Sequence, residues 1–339
     1  MKLKSKLYVF IVFITLQPGT LLAQSQKDSV RELMERLSKE ELVKHLTIIA
    51  GNEMEGRKTG EKGQKKAANY IRDFYKSIEI KPLPGTEDYF QHVPSEAMQR
   101  MFSPKLNDSE NVIAYIKGTE KPDEYIVLSA HYDHVGIANG EIYNGADDNG
   151  TGTTALLELA RTLQIAHKNG NGPKRSIVFL HCTGEEYGLH GSRFFVNSKI
   201  LPLENIVANL NVDMIGRKDL KYENTDTEYI YLVGSDRLST ELHDLSEAMN
   251  KKYTKLHLDY TYNEVNHPEM IYYRSDHYNF AKFGIPVIFY YSGEHADYHK
   301  PTDTFDKIDF EQMLKRTQLI FVTTWELANR PEQIKLNNQ

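Results

Sequence analysis

The ten residues Tyr125–His134 read YIVLSAHYDH. The first six are an apolar run suited to a buried strand, and His131, Asp133 and His134 follow at its end. Working outward, Ser176–His181 (SIVFLH), Asn205–Val212, Tyr229–Val233 and Ile285–Tyr290 (IPVIFY) repeat the strand pattern. Gly152–Leu163 (GTTALLELARTL) and Lys62–Tyr75 carry helical periodicity, and Ser38 followed by Glu41 marks a capped helix start. Asp309–Asn329 has apolar residues at helical spacing and is limited by Pro331. Residues 28–95 read as helices flanking the sheet. Strands alternating with helices predict an α/β fold of three layers, α/β/α, with a mixed, largely parallel central sheet. Ligands in such sheets sit at the carboxyl ends of the strands, so the residues found there matter most.

Composition narrows the function. The chain has 339 residues, 40% of them hydrophobic and 26% charged, with a net charge of −6. That is globular, and too acidic for a nucleic-acid binder that relies on a basic face. Cys182 is the only cysteine, which excludes an intramolecular disulfide and a cysteine-rich zinc finger. A metal site would have to be built from imidazole and carboxylate.

The amino terminus has the three parts of an export signal. Lys2, Lys4 and Lys6 precede the apolar run Leu7–Leu16, and Pro18-Gly19 and Leu22-Ala23-Gln24 follow. The reading is a signal peptide over 1–23 and one catalytic domain over 24–339 with an N-terminal helical extension. The product is expected to be periplasmic or extracellular, without stable membrane association after cleavage.

Five short motifs follow candidate strands or turns. They are Ala130-His131-Tyr132-Asp133-His134, Gly145-Ala146-Asp147-Asp148-Asn149-Gly150, Thr183-Gly184-Glu185-Glu186-Tyr187-Gly188, Asn211-Val212-Asp213-Met214, and Tyr298-His299-Lys300-Pro301-Thr302-Asp303. Each has a bland reading alone: a surface His-Asp pair, a helix cap, solvated loop charges, a turn. In a single parallel-type sheet, however, they converge. Side chains two apart in an extended segment point the same way, so Asp133 can steady His131. Nitrogen and oxygen donors without thiolate suit Zn²⁺, with Mn²⁺ or Co²⁺ as substitutes.

These motifs, in this order, resemble the co-catalytic di-zinc aminopeptidase family: secreted bacterial leucyl-type aminopeptidases and glutamate-carboxypeptidase-like relatives. The loop Glu53-Met54-Glu55-Gly56-Arg57 with Thr59-Gly60 looks like the family's N-terminal segment. The resemblance implies a zinc-exopeptidase fold of the phosphorylase/hydrolase-like kind and two Zn²⁺ per chain. His131 and Asp213 would serve one ion, Glu186 and His299 the other, and Asp147 would bridge them. The bond Asp147–Asp148 is expected to be cis. Asp133 would orient His131, and Glu185 would be the general base on a metal-activated water. Tyr272, three residues before Ser275-Asp276-His277, stands where some relatives steady the carbonyl oxyanion, with Tyr273 and Tyr290 as competitors. His134 and His277 are expected to play supporting or structural parts, and Cys182 to pack as a small buried residue.

The implied activity is removal of the N-terminal residue from peptides with a free amino terminus. Rivals on the same fold are a glutaminyl cyclase, a carboxypeptidase and a dipeptidase. More remote is a metal-bound domain without catalysis. Retention of Asp147-Asp148-Asn149, Glu185-Glu186 and Asp213 favours two metals and hydrolysis.

Overall fold

Four parallel strands lie side by side at the centre of the molecule, and their exits share one edge. In the computed structural model, which describes residues 30–99 and 105–337, they belong to a nine-stranded mixed sheet. The signal-peptide reading of 1–23 lies outside the described residues. In chain order the strands of this sheet are β1 (Lys81–Pro82), β2 (Phe90–Val93), β3 (Ser109–Ile116), β4 (Lys121–His131), β7 (Arg175–Cys182), β8 (Ile206–Val212), β9 (Tyr229–Val233), β10 (His257–Asp259) and β11 (Val287–Tyr291). Two short strands, β5 (Gly136–Ala138) and β6 (Glu141–Tyr143), form a separate hairpin. The order across the sheet is β1-β3-β7-β4-β8-β11-β9-β10, with β2 also on β3. The pairs β7/β4, β4/β8 and β8/β11 are parallel, and β3/β7 and β11/β9 are antiparallel.

The α/β expectation therefore holds, with one difference. Residues 28–95 are not helical throughout, because β1 and β2 lie within them. With β3, which the sequence reading did not assign, they build the antiparallel edge.

Alternation along the central strands sorts the core into two layers. Ile126, Leu128, Ile177, Phe179, Leu210 and Ile288 face α1 (Lys39–Ile49), α2 (Lys62–Ser77), α3 (Gly152–Lys168) and α7 (Phe310–Asn329). Val127, Val178, Leu180, Val287 and Phe289 face α4 (His190–Ser198) and α6 (His277–Ala281). A further helix, α5 (Thr240–Met249), flanks α7. Ser38 caps α1 by accepting from Glu41 N, but its own N–H donates to Glu158 Oε1 at 2.6 Å on α3, so the cap joins two helices. Asp309 caps α7 by accepting from Gln312 N. The buried Tyr75 on α2 meets His181 Nε2 on β7 at 2.7 Å.

Candidate active site

The parallel strands bring the motifs together because each motif leaves the sheet at the same edge. His131 ends β4, Glu185 and Glu186 follow β7, Asp213 follows β8, and the loop carrying His299 follows β11. The fifth contributor is the turn Ala146–Thr151 that opens α3.

Asp148 lies at the middle. One carboxylate oxygen is 3.3 Å from His131 Nε2, and the other is 2.9 Å from His299 Nε2. On the first side, Asp213 Oδ1 is 3.3 Å from His131 Nε2. On the second, Glu186 Oε2 is 3.0 Å from His299 Nε2. The donors fall into two groups, His131/Asp148/Asp213 and His134/Asp148/Glu186/His299, with the atoms in each within 4.8 Å of one another. His131 Nε2 and Asp213 Oδ1 are buried and have no hydrogen-bond partner among the described residues. Burying such atoms unsatisfied is costly, and a divalent cation between them removes the cost. Imidazole and carboxylate in this arrangement fit Zn²⁺, Mn²⁺ or Co²⁺.

Asp147 is not in this cluster. The sequence reading places the shared carboxylate there, whereas the structure puts Asp148 between the two histidines. Asp147 Oδ1 accepts from Gly216 N at 2.7 Å and Thr151 Oγ1 at 3.0 Å, and Oδ2 lies 3.3 Å from His295 Nε2. The cis peptide expected at Asp147–Asp148 is likewise one bond further on, at Asp148–Asn149. Distant parts of the chain fix this turn. Asp303 accepts from the backbone N–H groups of both Asp147 and Asp148. Asn149 donates to Val212 O and accepts from Gly152 N, tying the turn to β8. Gly145 opens it at φ 52°, where an added Cβ would meet Asp148 O at 2.2 Å and the His134 ring at 2.5 Å. Arg57 lies wholly buried beneath, donating to carbonyls of Ile49, Tyr132, Asn144 and Gly145 at 2.7–2.9 Å.

The supporting residues have distinct tasks. His131 Nδ1 is 3.1 Å from the carbonyl of Asp133 and 3.8 Å from its carboxylate, so the backbone does the orienting. The Asp133 carboxylate accepts instead from Thr59 Oγ1 at 2.7 Å and from Glu185 N at 3.2 Å. A chain of hydrogen bonds runs from Ser129 through Asn211 and Ser275 to Asp213 Oδ2, leaving Oδ1 free to face His131. Glu185 has an oxygen 3.9 Å from His131 Nε2. Burial pushes its carboxyl well above the usual range, and Asp213, Glu186 and Asp276 add to the push. His299 is the exposed member; burial of its ring opposes protonation, but Asp148 and Glu186 raise it to about 11.

A cleft of about 440 Å³ opens over Asp148, Glu185, Glu186 and Asp213. Leu189, Met214, Ile271, Phe289 and Tyr291 supply apolar wall, and Tyr273 and Tyr298 also line it. Tyr272 does not. In the tight 3₁₀ turn Ile271–Tyr273, successive side chains point about 120° apart. Its ring therefore packs by Gly234 and under Arg237, whose guanidinium carbon is 3.8 Å from the ring centroid. Tyr290 is buried among Thr323 and Ser246 on the other face. Cys182 is buried, as expected for packing. The sequence reading gave His134 only a supporting place; the structure puts its Nδ1 2.6 Å from Glu186 Oε1. Its signal was the second histidine of HYDH.

Comparison with known proteins identifies the family and the fold. Residues 111–324, more than half of the chain, match Peptidase family M28. A probable leucine aminopeptidase of Arthroderma otae is 31% identical over 215 residues, covering 61% of this chain and 55% of that protein. A probable glutamate carboxypeptidase of Zea mays is 30% identical over 242 residues, covering 67% of this chain and 32% of that one. The chain thus spans about half the length, or less, of these curated relatives. Among solved structures, the LapA aminopeptidase of Legionella pneumophila superposes with a TM-score of 0.69 at 20% identity, covering 90% of this chain and 76% of that one. A zinc aminopeptidase from Bacillus subtilis gives 0.67 at 17% identity, covering 88% of this chain and 98% of that one. At these identities the structural likeness speaks to the fold, while the matched span carries all five motif segments, with the loop Glu53–Gly60 lying before it. The chain belongs to peptidase family M28.

Proposed function

We propose that the protein is an exported aminopeptidase that removes the N-terminal residue of peptides at a centre of two divalent ions, zinc in the first place. The observation that carries this reading is the position of Asp148 between His131 and His299, with Asp213 and Glu186 completing a donor set on either side. His131, Asp148 and Asp213 would hold one ion, and Asp148, Glu186 and His299 the other. Bound there, such ions act as Lewis acids and make water a stronger nucleophile at neutral pH.

The chain's own residues do the rest. Glu185 sits beside both groups without belonging to either, so its carboxylate is available as general base. It takes a proton from the attacking water as oxygen adds to the carbonyl carbon. It returns that proton to the amine as the C–N bond breaks. A carboxyl whose affinity for protons is raised by burial suits this double task. The free α-amine of a substrate would lie beside the second ion and the carboxylates around it, which directs the cleft to chain ends. Its apolar wall accepts an uncharged side chain. Export rests on the lysines and apolar run of residues 2–16.

The test is a set of free, N-acetylated and N-terminal Gln peptides incubated with the purified protein, with and without chelator, and read by mass spectrometry. Stepwise, chelator-sensitive loss of N-terminal residues from the free peptides alone is the expected result. Loss of ammonia without cleavage would make it a cyclase, and trimming from the other end a carboxypeptidase.

A further inference from the structure

His134 has no part in the scheme above, yet it touches it. Its Nδ1 lies 2.6 Å from Glu186 Oε1 and 3.7 Å from Asp148 Oδ2. The other oxygen of Glu186, Oε2, faces His299 Nε2 at 3.0 Å. The two carboxylate oxygens therefore have different partners.

The spacing says which kind of contact His134 makes. Two donors bound at about 2.0 Å to one tetrahedral ion stand about 3.3 Å apart. The separations His131–Asp148 and His131–Asp213 are both 3.3 Å, and those of His299 to Asp148 and Glu186 are 2.9 and 3.0 Å. The 2.6 Å between His134 and Glu186 is shorter than all of these and is the length of a charge-assisted hydrogen bond. An ionised carboxylate only accepts, so Nδ1 carries the hydrogen. The ring is held in place for this. Its backbone N–H donates to Arg57 O at 3.2 Å, Gly145 leaves room against its face, and its ring meets that of His299 edge-on at 5.6 Å.

We propose that His134 is a positioning residue: its Nδ1–H occupies Glu186 Oε1, so that Glu186 offers only Oε2 to the second ion. Ser275 makes the matching contact on the first side, where it donates to Asp213 Oδ2 and leaves Oδ1 directed at His131. The proposal rests on the two-ion reading of the site.

The test is calorimetric titration of the metal-free protein with Zn²⁺ and Co²⁺, comparing the parent with H134A, H134L and H134N. The asparagine amide keeps a donor near the position of Nδ1, and leucine keeps bulk without a donor. In H134A and H134L the affinity of one ion should fall about 10- to 100-fold while the other is unchanged, and H134N should stay within about threefold of the parent. H134L serves alone if H134A does not fold. Unchanged affinities in H134A or H134L would overturn the proposal, as would an H134N as weak as H134L, which would make the ring nitrogen itself the requirement. A parent that takes up fewer than two ions would overturn the two-ion reading and this proposal with it; a parent with two ions and insensitive variants would overturn this proposal alone.

Discussion

Asp147 and Asp148 are consecutive, and their carboxylates serve opposite sides of one turn. Asp148 faces His131 and His299, while Asp147 turns back to Gly216 N, Thr151 Oγ1 and His295. His295 and His299 lie on the same loop after β11. One acid thus meets the proposed ions while its neighbour anchors the loop that brings His299 to them.

Substitution separates the two acids. D148N should abolish binding of both ions, because it weakens a donor common to the two groups. D147N should keep two ions, with the weaker affinity on the His299 side. Metal content after dialysis, with calorimetry on the stripped protein, distinguishes them. Two retained ions in D148N and none in D147N would reverse the assignment.

Glu185→Gln should leave metal content unchanged and lower kcat by about 10²- to 10⁴-fold, the range for loss of a general base. Gln keeps the shape and loses the proton acceptor. Steady-state kinetics together with metal analysis checks this, and normal turnover would remove Glu185 from the role.

Arg57 holds four carbonyls from three segments around the site, and lysine has neither the reach nor the forked donors to replace it. Arg57→Lys should lower stability by about 2–4 kcal/mol through carbonyls left without donors. Urea unfolding measures the loss. An unchanged midpoint would mean that water or a shifted backbone satisfies those carbonyls.

The strand exits could be read from sequence because apolar runs mark the strands, and in a parallel sheet successive exits share an edge. His131, Glu185, Glu186, Asp213 and His299 are brought together for that reason. The choice between Asp147 and Asp148 was not legible. It depends on the backbone of one short turn, which Asp303 holds from 156 positions away by accepting from Asp147 N, and which Gly145 and Arg57 shape from other directions. Tyr272 was misplaced for a similar reason: its spacing from Ser275 is right, but the 3₁₀ turn directs Tyr273 to the cleft and Tyr272 to Arg237. Strand β3 was missed because its short apolar run, VIAYI, starts just after the polar Ser109, Glu110 and Asn111.

Acid should destabilise the fold through His181. Burial pushes this ring from 6.5 down to about 3. Between those values the unfolded chain binds a proton here and the folded chain does not, so stability falls as pH drops through the window and levels off below about 3. From pH 7 to pH 5 the parent should lose about 2 kcal/mol more than His181→Gln, in which the amide keeps a partner for the Tyr75 hydroxyl. Urea unfolding of both proteins at the two pH values gives the difference. Equal losses would show that His181 is charged inside the fold.

The central claim is that Asp148 is shared by two ions. Anomalous diffraction at the zinc edge, from crystals of the metal-loaded protein, tests it most directly. The account predicts two peaks about 3.5–4 Å apart on either side of the Asp148 carboxylate, one beside His131 and Asp213 and the other beside Glu186 and His299. A single peak, or a peak bound by Asp147, would contradict it.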